Sequence, residues 1–317
     1  MPFKLIFSGD GVVMLLFCRL WPCLLLLGFA LCPSVVRGQE TNSQDIDGVI
    51  VSPDVVFGHK FGLAMTMDIF TPAMPKGVGV LFMVSGGWYS NWAPPEQLKP
   101  LLKPLTHAGF TVFAVRHGSS PRFTIPEAVV DVQRAVRFVR SRAADFGISP
   151  ERIGVFGMSA GGHLSLVLGT VGDDGNPDAS DPIERTSNRV QAVVAWVAPT
   201  DLTIVIHSSP ESLPAHKQFP ALNLDRESAE RHSPLFRVSN DDAPTLLLAG
   251  AKDELVPIAH SRRIRDEFAK HGVDNRLVEF PDAGHGLAGD DLRVAVSEML
   301  TWFQRYLISN AEIRAND

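Results

Sequence analysis

Short continuous apolar runs alternate, from residue 77 onward, with longer segments in which apolar side chains recur every three or four positions. Continuous runs are typical of strands buried on both faces of a parallel sheet, and the recurring pattern is typical of amphipathic helices. The predicted strands cover 79–84, 111–115, 153–156, 190–197, 245–249 and 277–280. The predicted helices cover 98–108, 126–144, 159–169, 258–271 and 292–308. This alternation predicts an α/β fold with a mainly parallel central sheet and helices on both faces.

Two segments depart from this rhythm. The runs 55–59 and 63–70 are strand-like and flank Gly62, which predicts an antiparallel hairpin ahead of the parallel sheet. Residues 200–242 are rich in Pro, Ser, His and Asn and show no regular period. Long segments without a pattern usually have a function or form short helices of their own, so we predict a cap-like insertion over the functional site.

The first 38 residues have the order of charges, apolar run and small residues that is typical of a secretory signal. Lys4 and Arg19 precede the leucine-rich run 20–31, and a small-residue site ends at Gly38. The run is shorter than the ~20 residues of a comfortable membrane span. We therefore expect cleavage after Gly38, no stable membrane span afterwards, and a secreted or periplasmic protein. An uncleaved N-terminal membrane anchor is the alternative.

These patterns divide the chain into a signal peptide (1–38), a polar, disordered linker (39–48) and one α/β domain (49–317). The cysteines all lie in the first segment, at Cys18, Cys23 and Cys32. Cleavage would leave a mature protein with no disulfide, no thiolate nucleophile and no cysteine metal site.

Composition and charge exclude some classes of partner. The chain is 45% hydrophobic and 20% charged with a net charge of -6, which is typical of an ordinary globular protein. No cluster of Lys and Arg with interleaved aromatic residues is present, so we expect no nucleic-acid partner. The histidines lack metal-ligand spacing, and we predict no metal site. Arg134, Arg137 and Arg140 are interpreted as a solvated helix face, with an anion site as the alternative.

The sequence Gly-Met-Ser-Ala-Gly at 157–161 lies between a predicted apolar strand and a predicted apolar helix. A serine hydroxyl is a poor nucleophile unless a base removes its proton and its position is fixed. A sharp strand-to-helix turn with glycines on either side fixes it, and the helix N-terminus favours developing negative charge. This context makes Ser159 the predicted nucleophile.

A serine nucleophile that attacks an acyl group also needs donors for the oxyanion. The backbone N–H of Ala160, directly after the serine, is one predicted donor. Gly86 and Gly87 follow the strand that ends at Val84, and glycines let that backbone approach a substrate closely. We predict an oxyanion hole formed by Gly86, Gly87 and Ala160.

The acid and base are expected after the nucleophile in the chain. Asp253 follows a buried strand, at the edge of the sheet where sites in open α/β folds gather, and Glu254 is the competing acid. His285 lies between glycines after the last strand, and the order Ser159, Asp253, His285 is that of a hydrolase triad. His163, one turn after the serine, is interpreted as a packing residue.

Four residues near these motifs are candidates for a substrate pocket. Trp88 and Tyr89 follow the predicted oxyanion glycines, and the neighbouring Trp92 shares their aromatic character. His117 follows the predicted strand 111–115 and is left open between lining the cleft and another role. Buried packing is the alternative for each aromatic residue.

From 55 to 307 the chain resembles α/β-hydrolases of the esterase group related to hormone-sensitive lipase and to bacterial feruloyl and acetyl-xylan esterases. The resemblance depends on Ser-Gly-Gly-Trp at 85–88, Gly-Met-Ser-Ala-Gly-Gly-His at 157–163, Asp-Glu-Leu-Val-Pro at 253–257 and Gly-His-Gly at 284–286. It implies hydrolysis of carboxylic esters without a cofactor. Ser85 stands where those esterases usually have a histidine that supports the oxyanion loop, residues 85–88 here. A different side chain must therefore support this loop.

The sequence therefore favours an exported serine hydrolase that acts on small or carbohydrate-linked esters. A serine peptidase or amidase is the second hypothesis, because the same triad cleaves amides. Peptidase relatives usually carry a large extra domain, and we expect no room for one beside the α/β domain at 49–317. A non-catalytic binding protein on a hydrolase fold is the third, and it conflicts with the presence of all three triad residues.

Overall fold

The computed structural model describes residues 43–46 and 48–308. The predicted signal peptide 1–38 lies outside these residues. The strands are β1 Gln44–Ile46, β2 Val49–Lys60, β3 Leu63–Pro72, β4 Val78–Val84, β5 Phe110–Arg116, β6 Ile153–Met158, β7 Ala192–Trp196, β8 Thr245–Gly250 and β9 Asn275–Phe280. The α-helices are α1 Pro95–His107, α2 Ile125–Ser141, α3 Ala160–Thr170, α4 Arg226–Arg231, α5 Ala259–Lys270 and α6 Gly289–Leu307. None of the helices among the described residues is both long and apolar enough to cross a membrane.

The strands form one nine-stranded sheet in the order β1-β2-β3-β5-β4-β6-β7-β8-β9. The strands from β5 to β9 along this order pair in parallel, whereas β1, β2 and β3 are antiparallel. The predicted fold class is therefore confirmed, and the predicted hairpin corresponds to β2 and β3. The carboxyl ends of β5, β4, β6, β7, β8 and β9 all meet at one edge, which concentrates the loops that follow them.

Two apolar layers enclose the sheet. On one face, α2, α3 and α5 contribute core side chains such as Leu164 and Phe268. On the other face, α1 and α6 contribute side chains such as Leu102 and Phe303. The parallel strands are buried on both faces for this reason, which explains why their sequences are continuous apolar runs instead of alternating ones.

The prediction of a disordered linker at 39–48 is wrong for part of its length. Residues 44–46 form β1, which pairs with residues 49–51 of β2 in antiparallel register. Backbone pairing at an open sheet edge requires no apolar side chains, so a polar segment can form a strand there. Composition alone therefore gave no signal of this strand.

The predicted insertion at 200–242 consists of short helical turns. Besides α4, it contains single 3₁₀ turns at Leu202–Ile204, Pro214–Gln218, Pro220–Leu222 and Pro234–Phe236. Proline opens three of these turns, where its fixed φ suits the first helical position and its missing N–H is not needed. No repeating apolar pattern arises because each turn is too short to show a period.

The arginines of α2 are not a solvated face. Arg137 is buried and donates two hydrogen bonds of 2.7 Å to the Asp173 carboxylate. Arg134 pairs with Asp181 and Glu184, and Arg140 donates to backbone carbonyls of the same loop. The arginines attach the 171–191 loop to the helix, and their anionic partners are side chains of the protein itself.

Candidate active site

Ser159 lies at a strained turn between β6 and α3. Its backbone has φ 52° and ψ −120°, a combination that residues with a Cβ rarely adopt. A hydrogen bond of 2.8 Å from Ser159 N–H to the Trp196 carbonyl on β7 holds the turn in place. The strain projects the hydroxyl away from the sheet edge instead of into the core.

The glycines of the motif are required by close backbone contacts. A Cβ on Gly157 would lie 2.4 Å from the carbonyl of Gly161, and a Cβ on Gly161 would lie 2.6 Å from the Met83 carbonyl on β4. Both distances are below any tolerable contact with backbone. The sharp turn therefore forms only when both positions lack a side chain.

The three predicted triad residues lie in one hydrogen-bonded row. Ser159 Oγ is 2.9 Å from His285 Nε2, and His285 Nδ1 is 2.8 Å from Asp253 Oδ2. Asp253 Oδ1 accepts the backbone N–H groups of Leu255 and Val256 at 2.9 and 2.8 Å. These acceptor roles keep Asp253 oriented, so the imidazole carries its proton on Nδ1 and presents Nε2 as a base toward the hydroxyl.

Burial separates Asp253 from its competitor Glu254. The Asp253 side chain is buried and hydrogen-bonded to His285, whereas Glu254 is exposed to solvent. The loop that carries His285 packs tightly on the loop after β8, because a Cβ on Gly250 would lie 2.3 Å from the Gly284 carbonyl. Gly250 was not singled out from the sequence, since nothing local distinguishes it from other glycines at strand ends.

The structure revises the predicted oxyanion donors. The N–H of Gly86 donates to the Tyr89 carbonyl at 3.0 Å and is therefore engaged in a turn. Among the described residues, the N–H groups of Gly87 and Trp88 have no acceptor, and Ala160 begins α3, where N–H groups have no partner within the helix. Gly87 and Ala160 remain in the candidate set, and Trp88 replaces Gly86.

Ser85 is bonded to His117, which lies in the segment after β5. Ser85 Oγ–H donates to His117 Nε2 at 2.8 Å, and His117 Nδ1–H donates to the Gly118 carbonyl at 2.9 Å. Burial lowers the pKa of His117, which favours the neutral ring that this arrangement needs. This hydrogen bond holds the backbone after β4 against the backbone after β5. It is the support for the oxyanion loop that the sequence could not identify.

Further hydrogen bonds fasten the oxyanion loop to the same segment. The N–H of Ser90 donates to Ser119 Oγ, and the N–H of Ser120 donates to the Trp88 carbonyl, both at 3.0 Å. The segment is fixed in turn by Asp131, whose Oδ2 accepts the Gly118 N–H at 2.8 Å. The position of the donors near Ser159 therefore depends on groups at the end of β5.

Removing the Ser85 hydroxyl should make the position of the oxyanion N–H donors less fixed, while substrate binding in the cavity stays nearly the same. We expect Ser85→Ala to lower kcat for an ester substrate by roughly tenfold with KM changed less than about twofold, because oxyanion donors act mainly in the transition state. Ser85→Thr keeps the hydroxyl and should retain most of the rate. Steady-state kinetics of both variants test this, and a loss confined to KM would contradict it.

A narrow apolar cavity lies beside Ser159. It contains about 320 Å³ of empty space including its open mouth. Trp88 lines it as predicted, whereas Tyr89 and His117 do not. The other lining residues are Gly87, Ser159, Pro199, Val205, His216, Phe219, Leu222, Leu255 and Val256.

The insertion supplies one wall of this cavity. A Cβ on Gly87 would lie 2.4 Å from Phe219 Cδ1, so the phenyl ring packs directly on the oxyanion loop. His216 is buried and its Nε2–H donates to the Leu255 carbonyl at 3.0 Å, which joins the insertion to the loop of Asp253. Four residues of the segment 200–242 thus line the cavity beside Ser159, and they could not be identified from a sequence without a period.

His163 is a buried packing residue. Its Nε2–H donates to the His232 carbonyl at 2.8 Å, and its Nδ1 accepts the indole N–H of Trp88 at 3.4 Å. Burial lowers the pKa of His163 to about 4, and burial likewise lowers the pKa of His260 to about 4. Both rings are therefore neutral in the folded protein at neutral pH.

This burial predicts a loss of stability in mild acid. An unfolded histidine titrates near 6.5, so below that pH the unfolded state binds protons that the folded state excludes until about pH 4. Each ring should lower the free energy of unfolding by about 2 kcal/mol between pH 7 and pH 5. Urea denaturation of wild type and His163→Gln at both pH values tests this, and an equal pH dependence in the two proteins would contradict it.

A buried carboxylate, an oriented imidazole and a strained serine at the carboxyl edge of a mainly parallel sheet define an α/β-hydrolase. A family model agrees with this class. Residues 67–268 match the BD-FAE family, and the chain belongs to that family. The resemblance to the esterase group of α/β-hydrolases is thereby confirmed.

Individual relatives show how far the similarity extends. The chain is 29% identical over 222 residues to the probable carboxylic ester hydrolase LipM of Mycobacterium tuberculosis, covering 68% of this chain and 51% of LipM. It therefore spans about half the length of that relative. A truncated carbohydrate esterase from gut microbiota superposes with a TM-score of 0.70 at 26% identity, over 86% of this chain and 99% of the other. An acetyl ester-xyloside bifunctional hydrolase from Caldicellulosiruptor lactoaceticus gives 0.69 at 25% identity, over 80% and 95%.

Proposed function

We propose that the protein is a serine carboxylic-ester hydrolase that works through an acyl-enzyme on Ser159. The observation that supports this most directly is the row Ser159–His285–Asp253, with contacts of 2.9 and 2.8 Å. The similarity to a probable carboxylic ester hydrolase and to a carbohydrate esterase supports ester cleavage.

The geometry supports a two-stage reaction. Ser159 Oγ attacks the ester carbonyl carbon while its proton passes to His285 Nε2, and the carbonyl oxygen becomes an oxyanion held by the N–H groups of Gly87 and Ala160. Collapse breaks the bond to the alcohol, which takes the proton from His285. Water then attacks the acyl-enzyme by the same route and releases the acid and free Ser159.

Asp253 contributes by orientation and charge. Its Oδ2 holds Nδ1–H of His285, and the carboxylate stabilises the imidazolium that forms when the hydroxyl proton is transferred. The two backbone N–H groups on Oδ1 prevent the carboxylate from rotating away. His285 is thus protonated while each tetrahedral intermediate exists and is neutral in the acyl-enzyme, where it can act as the base for the attacking water.

The cavity favours short acyl groups. Its lining is almost entirely apolar, and Phe219 and Leu222 narrow it on the side of the insertion. We therefore propose acetyl and similarly short esters, with a carbohydrate as the alcohol by analogy with the two structural neighbours. Export is proposed on the pattern of residues 1–38 alone.

A chain-length series tests this assignment. Protein lacking residues 1–38 should hydrolyse p-nitrophenyl acetate and butyrate faster than p-nitrophenyl octanoate. Chromogenic alanine and proline anilides, measured with the same preparation, should be cleaved far more slowly. Faster cleavage of the anilides would support the amidase hypothesis, and a folded protein inert to both esters and fluorophosphonate would support the binding-protein hypothesis.

A further inference from the structure

A second, open cleft lies on the other side of the oxyanion loop from the apolar cavity beside Ser159, which is called the acyl cavity below. It encloses about 900 Å³ of empty space including its mouth. Its walls come from the start of β3, from the loop after β4 and from the segment after β5. The residues that line it include Leu63, Ser90, Trp92, Ser119, Arg122 and Phe123.

Sheet topology places this cleft beside the nucleophile. Ser90 and Trp92 follow the carboxyl end of β4, Ser119 follows that of β5, and Ser159 follows that of β6. The strand β4 lies between β5 and β6, so β5 and β6 are about 10 Å apart at the same edge. The acyl cavity occupies the opposite direction, toward the loops after β7 and β8.

The surface of the cleft is amphipathic. The Trp92 side chain is 58% exposed, and Leu63, which also lines the cleft, is 46% exposed. Phe61, 75% exposed at the tip of the β2–β3 turn, stacks with its ring centroid 6.2 Å from that of Phe123. Exposed apolar groups gathered at one cleft mark a binding surface more often than isolated ones do.

Polar groups accompany the aromatic ones. Ser90 and Ser119 lie on the wall nearest the oxyanion loop and are fixed by the hydrogen bond between them. The Arg122 guanidinium lies 5.5 Å from the Phe123 ring centroid and has no ion pair or hydrogen bond within residues 43–46 and 48–308. The Ser90 and Ser119 hydroxyls donate to the carbonyls of Val84 and Ser120, so the guanidinium of Arg122 is the donor that the cleft offers to a ligand. A flat indole beside a guanidinium matches a sugar ring, which presents C–H groups on its faces and hydroxyls at its edge.

We propose that this cleft binds the saccharide part of the substrate and that Trp92 is its stacking platform. The inference depends on the proposed ester hydrolysis, in which the acyl group enters the apolar cavity and the alcohol extends toward β5. Trp92 then determines which alcohols the enzyme accepts and takes no part in the chemistry at Ser159.

The test compares two esters that share an acetyl group and differ in the alcohol. Trp92→Ala should lower kcat/KM for acetylated xylotriose or acetylated cellobiose by about tenfold, as truncating a central tryptophan of a binding site commonly does. The same variant should hydrolyse p-nitrophenyl acetate within about twofold of wild type. Phe236→Ala, which removes another half-exposed aromatic ring away from the cleft, is the matched control and should change neither rate.

Equal losses on both esters, or no loss on either, would overturn the saccharide cleft while leaving the esterase proposal intact. Direct binding separates the two proposals further. Unacetylated xylotriose and cellobiose should bind Ser159→Ala by calorimetry and lose affinity when Trp92→Ala is added, whether or not the wild type turns over an ester. Self-association of the wild type that Trp92→Ala abolishes, without a saccharide effect, would assign the surface to a second copy of the chain instead.

Discussion

Replacing Ser159 with alanine should lower kcat for p-nitrophenyl acetate by at least about a thousandfold. The Ser159 hydroxyl is hydrogen-bonded to His285, and losing a triad nucleophile leaves only what the oxyanion donors and substrate binding provide. A thousandfold loss corresponds to about 4 kcal/mol of transition-state stabilisation. Steady-state assays of the purified wild type and variant measure this change in kcat.

The substitution should leave the fold unchanged, which makes the kinetic result interpretable. Serine and alanine both carry a Cβ, so the strained φ of 52° is equally tolerated, and the bond from the residue 159 N–H to the Trp196 carbonyl is retained. Thermal unfolding should therefore match wild type closely. Labelling by a fluorophosphonate should disappear in the variant. Full activity in Ser159→Ala would mean that another group is the nucleophile or that the signal is a contaminant.

Asp253→Asn should be nearly as damaging, with kcat lower by on the order of a thousandfold or more. Oδ1 of Asp253 accepts two backbone N–H groups, so an asparagine must keep its carbonyl oxygen there and turn its NH₂ toward His285. A donor facing Nδ1 forces the imidazole proton onto Nε2. The ring then presents N–H to the Ser159 hydroxyl and cannot act as its base.

The neighbouring acid provides the control for this result. Glu254 is exposed, and Glu254→Gln removes the same charge without touching His285, so its rate should stay within about twofold of wild type. A large loss in Glu254→Gln with a small one in Asp253→Asn would reverse the assignment of the acid. Kinetics of both variants at one pH and salt concentration are sufficient to decide.

Local sequence patterns were enough to predict the architecture. Strands buried on both faces must be continuously apolar, and helices on a sheet must show an apolar stripe, so both elements leave a period in the sequence. The residues 157–161 were also readable, because a nucleophile on a strained turn demands glycine at Gly157 and Gly161 within a few positions. The order of Ser159, Asp253 and His285 followed from their places after successive strands.

Contacts between distant segments were not readable in the same way. Gly86 was predicted as a donor because it follows a strand, and only the fold shows that its N–H is engaged with Tyr89. The brace between Ser85 and His117 joins residues 32 positions apart on different strands, and each residue alone resembles an ordinary loop residue. Residues 44–46 form a strand because β2 has an open edge with which they can pair. The strand therefore depends on β2 and not on the sequence of residues 44–46.

The sequence by itself determined the α/β class, and it predicted the nucleophile turn and the three candidate triad residues, since each has a local signature that chemistry or periodicity imposes. The tertiary structure alone decided which N–H groups remain free near Ser159, which walls Phe219 and His216 give the acyl cavity, and where Trp92 is exposed. Those features arise where loops from several strands meet at one edge of the sheet. A side chain's role there depends on partners that no local pattern records.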